Sequence, residues 1–257
     1  VAHKKPYHSI VQNRLAHPAK RGLVVSDLHL FARRSQGQAH FDALKHNLSA
    51  LDILVLNGDI FDFRWSTLWD EEATVVAALD WLQTLVEKHP RCDIHFVFGN
   101  HDCLGTFREA LIELTSKIDR LRCHANQLRL GSALFLHGDC ADSKMDAAGL
   151  NRRRARWERG LQSGDLRCAA YIAVDRLGLT RRTHEWAFPR KRTVRRIAHY
   201  LDRTSPDWRH RTRDCYFGHT HLPFSGYTYD GIAFHNTGSA IRVRGMGFNP
   251  IFFDLFD

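Results

Sequence analysis

The sequence predicts an α/β fold with a mostly parallel sheet at its centre. Three observations carry this. Short apolar runs alternate with segments of helical periodicity through the first half of the chain. Each early run ends in a polar cluster, as strands of parallel sheets do where they meet a binding crevice. The C-terminal stretch then turns to closely spaced strands around Asp230-Gly231, a strong hairpin signal.

The elements follow in order. Residues 1–20 read as an arm or strand-edge extension. Gly22–Ser26 is the first buried strand, and a helix is expected near His40–Ala50. Ile53–Leu56 is the second strand. Glu71–Lys88 carries apolar residues at 75, 76, 79, 82, 85 and 86, an amphipathic helix closed by Pro90. Ile94–Phe98 is the third strand, followed by a helix near Thr106–Ser116 and strands near 121–124, 127–130 and 133–136. Two apolar stripes at helical spacing come next, Leu166, Ala169, Ala170, Ala173, Val174 and Leu177, then Val194, Ile197, Ala198 and Leu201. Cys215–Phe217 is a further strand. Phe224–Tyr229 and Ile232–Asn236 form the hairpin, and Ala240–Arg244 with Ile251–Phe256 suggest a second one.

A chain of 257 residues can bury a substantial core. Its hydrophobic share of 44% is that of an ordinary globular protein. No apolar run reaches the length of a membrane span, and the polar, basic start lacks the apolar stretch of a secretory signal. The six cysteines form no C-x-x-C pair, which argues against a zinc ribbon or disulfide scaffold and for reduced thiols in a cytoplasmic enzyme. Cys103 and Cys140 read as small apolar fillers beside a site. The net charge of +9 is concentrated. Residues 144–213 hold 19 Lys and Arg against 7 Asp and Glu, leaving the remainder of the chain mildly acidic. An anionic partner is implied: a phosphorylated substrate, the inner face of an anionic membrane, or, less favoured, nucleic acid.

Five polar clusters stand at predicted strand ends: Asp27-Leu28-His29, Gly58-Asp59-Ile60-Phe61-Asp62, Gly99-Asn100-His101-Asp102, His137-Gly138-Asp139 and Gly218-His219-Thr220-His221. Alternate residues on extended backbone share a face, so Asp27 and His29 can reach one ion. Asp59 can bridge two cations. Asn100 offers an amide oxygen, and His137, His219 and His221 offer imidazoles. Oxygen and nitrogen donors without thiolate suit Mn, Fe or Zn. Taken singly, each cluster is ordinary turn chemistry, and the weight lies in the ordered set.

That ordered set resembles the calcineurin-like metallophosphoesterase superfamily over residues 22–143 and 214–239. The resemblance implies a four-layer α/β/β/α sandwich and two divalent metal ions, manganese foremost. It implies one ion held by Asp27, His29, Asp59 and His221 and another by Asp59, Asn100, His137 and His219. His101 takes the catalytic position near the leaving group, Asp102 holds its imidazole, and Asp62 supports the ligands from behind. The catalytic domain is expected over 1–143 and 214–257, with 144–213 a basic helical cap. The cap resembles that of UDP-diacylglucosamine pyrophosphohydrolases, although that branch commonly carries Arg where this chain has His101. Arg152, Arg153, Arg156, Arg192, Arg195 and Arg196, with Arg154 beside them, are candidates to meet substrate phosphates. A nuclease of the same fold and a non-catalytic scaffold are the alternatives.

Overall fold

The computed structural model describes residues 19–158, 179–243 and 247–255. Of the arm expected at 1–20, residues 1–18 lie outside them, as does the stripe at 166–177, and Lys20 already belongs to the first strand. Two five-stranded sheets pack face to face. The first is ordered β10 (Ile251–Leu255), β1 (Lys20–Val25), β2 (Ile53–Asn57), β3 (Asp93–Val97), β4 (Leu121–His124). Its strands are parallel except for antiparallel β10. The second runs β5 (Gln127–Leu130), β6 (Ala133–Leu136), β7 (Asp214–Phe217), β9 (Ile232–Asn236), β8 (Phe224–Tyr229).

Strand alternation explains the layering. Leu23 and Val25, Leu54 and Leu56, and Ile94 and Phe96 face a core under α3 (Glu71–Lys88) and α4 (Gly105–Lys117). The α1 (Gly37–Ala43) and α2 (Lys45–Leu48) segment adds Phe41 and Leu48 to this core. The intervening residues Val24, Ile53, Val55 and Val97 meet Ala133, Phe135 and Tyr216 between the sheets. Leu134, Leu136, Cys215 and Phe217 face outward from the second sheet against Leu150 of α5 (Ala147–Glu158) and against α7 (Arg190–Thr204). Helix α7 buries the expected stripe Val194, Ile197, Ala198 and Leu201. Two shorter helices complete this side, α6 (Leu179–Ala187) and α8 (Trp208–Arg211). Helices therefore cover both outer faces, giving three apolar layers between four layers of structure.

Local chemistry sets the boundaries. Asp70 caps α3 by accepting from the Ala73 N–H at 2.7 Å, with Glu71 and Glu72 in the first turn and Lys88 in the last, which suits the helix dipole. Asp230 and Gly231 both have positive φ (50° and 78°), the turn that closes β8 on β9.

Three expectations are corrected. The helix expected near 40–50 is two short helices broken at Leu44. Val76 of α3 is 52% exposed, outside the buried stripe. Ile251–Leu255 forms no hairpin with the 240–243 stretch and instead pairs antiparallel with β1. Among the described residues, no helix is long and apolar enough to cross a membrane.

Candidate metal centre

The five clusters converge at the carboxyl ends of β1, β2, β3, β6 and β7. Backbone hydrogen bonds zip the loops together: Asp27 N–H to Gly58 O, His29 N–H to Asp59 O, and Gly218 N–H to His137 O. Five of the seven candidate ligands hold left-handed backbone, with φ of 51° at Asp27, 47° at His29, 52° at Asp59, 63° at His219 and 58° at His221. Glycines permit this closeness. A Cβ on Gly58, itself at φ 87°, would lie 2.5 Å from Nδ1 of His137, and one on Gly99 would collide with the Asp59 carboxylate.

The side chains fall into three overlapping groups whose donor atoms lie within 4.8 Å of one another: Asp27 with His29 and His221, Asp59 with His137 and His219, and, linking these two, His29 and Asp59 with His101. Asp59 Oδ2 lies 3.2 Å from Nε2 of His137 and 3.8 Å from Nε2 of His29, so one carboxylate faces both groups. Asp27 Oδ1 is 3.1 Å from Nε2 of His221. Asn100 Oδ1 is 3.3 Å from Nε2 of His137. All seven sequence-predicted ligands are thus brought together.

Asp62 stands behind a candidate ligand, as the resemblance implies, and also takes the His101 contact expected of Asp102. Asp62 Oδ2 reaches Nδ1 of His29 at 3.0 Å and Nδ1 of His101 at 3.1 Å, while its Oδ1 accepts from the Arg64 and Trp65 N–H groups. Asp102 does not hold the His101 imidazole. It accepts from the N–H of Gly99 at 2.6 Å and of Ile60 at 2.9 Å, fixing the loop backbone.

Burial and the charges of neighbouring groups compete across the site. Burial opposes ionisation of Asp59, yet the surrounding imidazoles hold it well below the usual carboxylate range. Burial likewise opposes a charged His101, but Asp62 and Asp59 raise it to about 9, and Asp59 with Asp27 raises His137 to about 10. Burial instead carries His221 down to about 4 despite Asp27. Asp102 rises to about 7 through burial and the Asp59 charge, against the pull of its two N–H donors. Buried carboxylates that draw in this much positive charge fit cation binding. So do Nε2 of His29 and Nδ1 of His221, buried nitrogens without hydrogen-bond partners.

Residues not anticipated from sequence close over the site. His184 of α6 stacks on His221 with centroids 5.4 Å apart, and Phe188 meets His219 edge-on. Trp157 of α5 lies 4.7 Å from the His101 ring, with the Arg64 guanidinium 4.6 Å over its indole. A cavity of about 260 Å³ opens here between Trp65, Trp157, Ala32 and Ile241, with His29, His101 and His221 at its base. No spacing signal announced these residues, since they come from separate helices and loops. Asp142, three residues beyond Asp139, puts Oδ1 2.8 Å from Nε2 of His219.

The candidate arginines are dispersed. Arg154 is buried, pairs with both oxygens of Asp139, and donates to the carbonyls of Phe98 and Ala125, so it binds no substrate. Arg192 donates to the Trp186 and Ala187 carbonyls, and Arg196 to those of Ala141 and Asp142. Arg195 is exposed. Arg152, Arg153 and Arg156 line a second cavity that shares no residue with the first. Cys103 and Cys140 are buried thiols, burial pushing Cys103 up to about 12 and Cys140 well above its ordinary value, as expected of fillers.

A calcineurin-like phosphoesterase family model matches residues 21–230. No curated protein matches the chain in sequence. Among solved structures, phosphopantetheinyl hydrolase (PptH) from Mycobacterium tuberculosis is similar at 15% identity and TM-score 0.44, covering 85% of this chain and 89% of its own. A dimetal phosphatase from Danio rerio aligns at 12% identity and TM-score 0.46, covering 94% of each chain. Vps29 from Chaetomium thermophilum aligns at 16% identity and TM-score 0.36, covering 88% of this chain and 71% of its own. With two sheets between helices and a buried cluster of aspartates and histidines at their strand ends, the chain belongs to the calcineurin-like phosphoesterases, metal-dependent hydrolases whose family uses a dinuclear centre.

Proposed function

We propose that this chain is a two-metal phosphohydrolase cleaving a phosphoester or phosphoanhydride in a small or lipid-linked substrate, with the leaving group seated between Trp65 and Trp157. The observation that carries this reading is the position of His101. It adjoins the ligand cluster, sets Nδ1 3.1 Å from Asp62, and lines the apolar cavity.

Asp27, His29 and His221 would hold one ion and Asn100, His137 and His219 the other, with Asp59 between them. When bound, two divalent cations polarise the phosphoryl oxygens and supply a water of lowered pKa as nucleophile. No side chain need attack, and the buried thiols of Cys103 and Cys140 stay protonated. With Nδ1 turned to Asp62, His101 carries its other proton on Nε2. From there it donates to a phosphoryl oxygen or protonates the leaving oxygen. Residues 144–213 act as a cap, since Trp157, His184 and Phe188 reach the rings of the site from that segment. An apolar cavity beneath a basic cap suits a lipid-linked diphosphate of the UDP-diacylglucosamine kind. Trp186, 82% exposed on α6 among arginines, suits contact with an acyl chain or the inner face of an anionic membrane.

The test is a metal-supplemented screen over phosphomonoesters, phosphodiesters, nucleotide sugars and oligonucleotides, repeated with two variants. Asp59→Asn should lose most bound metal and nearly all turnover. His101→Ala should keep its metal and lose roughly 10²–10⁴-fold in turnover. Full metal occupancy in Asp59→Asn would overturn the bridging role, and loss of metal from His101→Ala would make that residue a ligand. Turnover confined to oligonucleotides would replace the proposed substrate with nucleic acid.

A further inference from the structure

The second cavity also borders α5 but shares no lining residue with the cavity beside Trp157 and His101. It has a volume of about 430 Å³, within the range of ligand sites, and sits between α5 and α7 above the 143–146 loop. Its lining includes Lys144, Arg152, Arg153, Arg156, His199 and Arg203.

Helical spacing explains how so many cations share one hollow. Gly149, Arg152, Arg153 and Arg156 stand at i, i+3, i+4 and i+7, one stripe of α5, while Leu150 and Arg154 point into the protein. His199 and Arg203 stand at i and i+4 on α7, off the stripe that packs on the sheet. Gly149 keeps the floor open, because a Cβ there would press on Met145 at 2.9 Å. Like charges set side by side on helices repel, and a concave wall focuses their field. Asp146 is the one acidic residue in the lining, and its carboxylate already accepts from the Gly149 N–H. Arg153 adds a second, independent sign. Its guanidinium pairs with Asp142 through Nη2, yet its Nε is buried without a hydrogen-bond partner. A buried donor of this kind calls for an acceptor.

We infer that this cavity binds a compact anion bearing two or more phosphate groups, at a site separate from the metal centre. Guanidinium groups match phosphate oxygens bidentately, and four of them around one hollow suit several phosphates better than one carboxylate. The site also touches the metal centre indirectly. Arg153 holds Asp142, and Asp142 holds Nε2 of His219, so an anion that draws Arg153 away alters the support of a candidate ligand. The inference concerns the cavity alone and stands apart from the metal reading.

Titration of the full chain with inorganic tripolyphosphate tests it, with Asp59→Asn as the background in which the metal centre cannot take the anion through bound metal. One anion should bind per chain in Asp59→Asn. Arg152→Gln with Arg156→Gln in the Asp59→Asn background should weaken binding at least tenfold. Arg91→Gln, a cation elsewhere on the surface, should leave it unchanged. Circular dichroism of each variant separates a lost site from a lost fold. Lys144→Gln in the exposed loop gives a second reading that leaves both helices untouched, with weaker binding expected. Unaltered affinity in both the arginine variant and Lys144→Gln would overturn the inference, and so would loss of binding in Asp59→Asn alone, which would put the anion at the metals. Sedimentation with phosphatidylcholine vesicles carrying a bisphosphorylated inositol headgroup distinguishes the sources: sensitivity to the same substitutions on vesicles supports a lipid-borne phosphate cluster, and sensitivity only in free solution supports a soluble one.

Discussion

Oδ2 of Asp62 lies 3.1 Å from Nδ1 of His101. The same oxygen reaches Nδ1 of His29 at 3.0 Å, so one carboxylate orients both a candidate ligand and the proposed proton donor. Asp62→Asn is expected to lower metal retention and turnover together, each by about 10–100-fold, the usual cost of removing a ligand's supporting partner. Metal analysis alongside initial rates checks this. A variant with full metal and full rate would remove Asp62 from the site's machinery.

Trp157 tests the cavity. Its indole is pinned between the His101 ring and the Arg64 guanidinium. Trp157→Ala should reduce kcat/KM for an aryl phosphoester by about 3–10-fold, matching one aromatic contact of roughly 0.5–1.5 kcal/mol. Methyl phosphate, too small to reach the indole, should be cleaved at an unchanged rate. Equal losses on both esters would show that Trp157 supports the fold of the site and not its leaving group.

Arg154 should behave quite differently from its neighbours on α5. Its charge is buried and met by Asp139 and two carbonyls, linking α5 to the loops after β3 and β4. Arg154→Ala leaves Asp139 uncompensated and should cost about 3–5 kcal/mol in urea unfolding. Arg152→Gln, on the exposed face, should stay within about 0.5 kcal/mol of wild type.

His95 predicts a pH dependence of stability. It is buried near the seam between the sheets, with Nδ1 3.1 Å from Nε2 of His124, and burial with that neighbour lowers it to about 4. A histidine depressed on folding binds its proton more readily when unfolded. Its contribution is therefore complete above the unfolded value near 6.5 and is lost as pH falls toward 4. Unfolding free energy should drop by about 1–2 kcal/mol from this group between pH 7 and 5. His95→Gln should flatten that part of the profile, and an unaltered slope would assign the acid sensitivity elsewhere.

Much of the fold was legible because buried strands of a parallel sheet are short apolar runs bounded by polar loops. Ile53–Leu56 and Ala133–Leu136 are examples. The pairing of Ile251–Leu255 was not legible, since its partner Lys20–Val25 lies at the far end of the chain and nothing local specifies it. The convergence of the seven candidate ligands followed from their order. Asp62 and Asp102 show the limit of adjacency: Asp102 is next to His101 in sequence, but its side chain turns back to the Gly99 and Ile60 N–H groups. His184 and Trp157 carried no signal, because an imidazole or indole on a basic helix reads as surface until packing aims it.

The left-handed backbone at Asp27, His29, Asp59, His219 and His221 has an evolutionary consequence. Each such residue holds a conformation that costs on the order of 1 kcal/mol or more and that glycine or asparagine would adopt with less strain. The chain's easiest thermostabilising substitutions therefore lie at the very residues proposed as ligands. A library selected only for heat resistance in chelator should enrich glycine and asparagine at these five positions, and the survivors should be stable and inert.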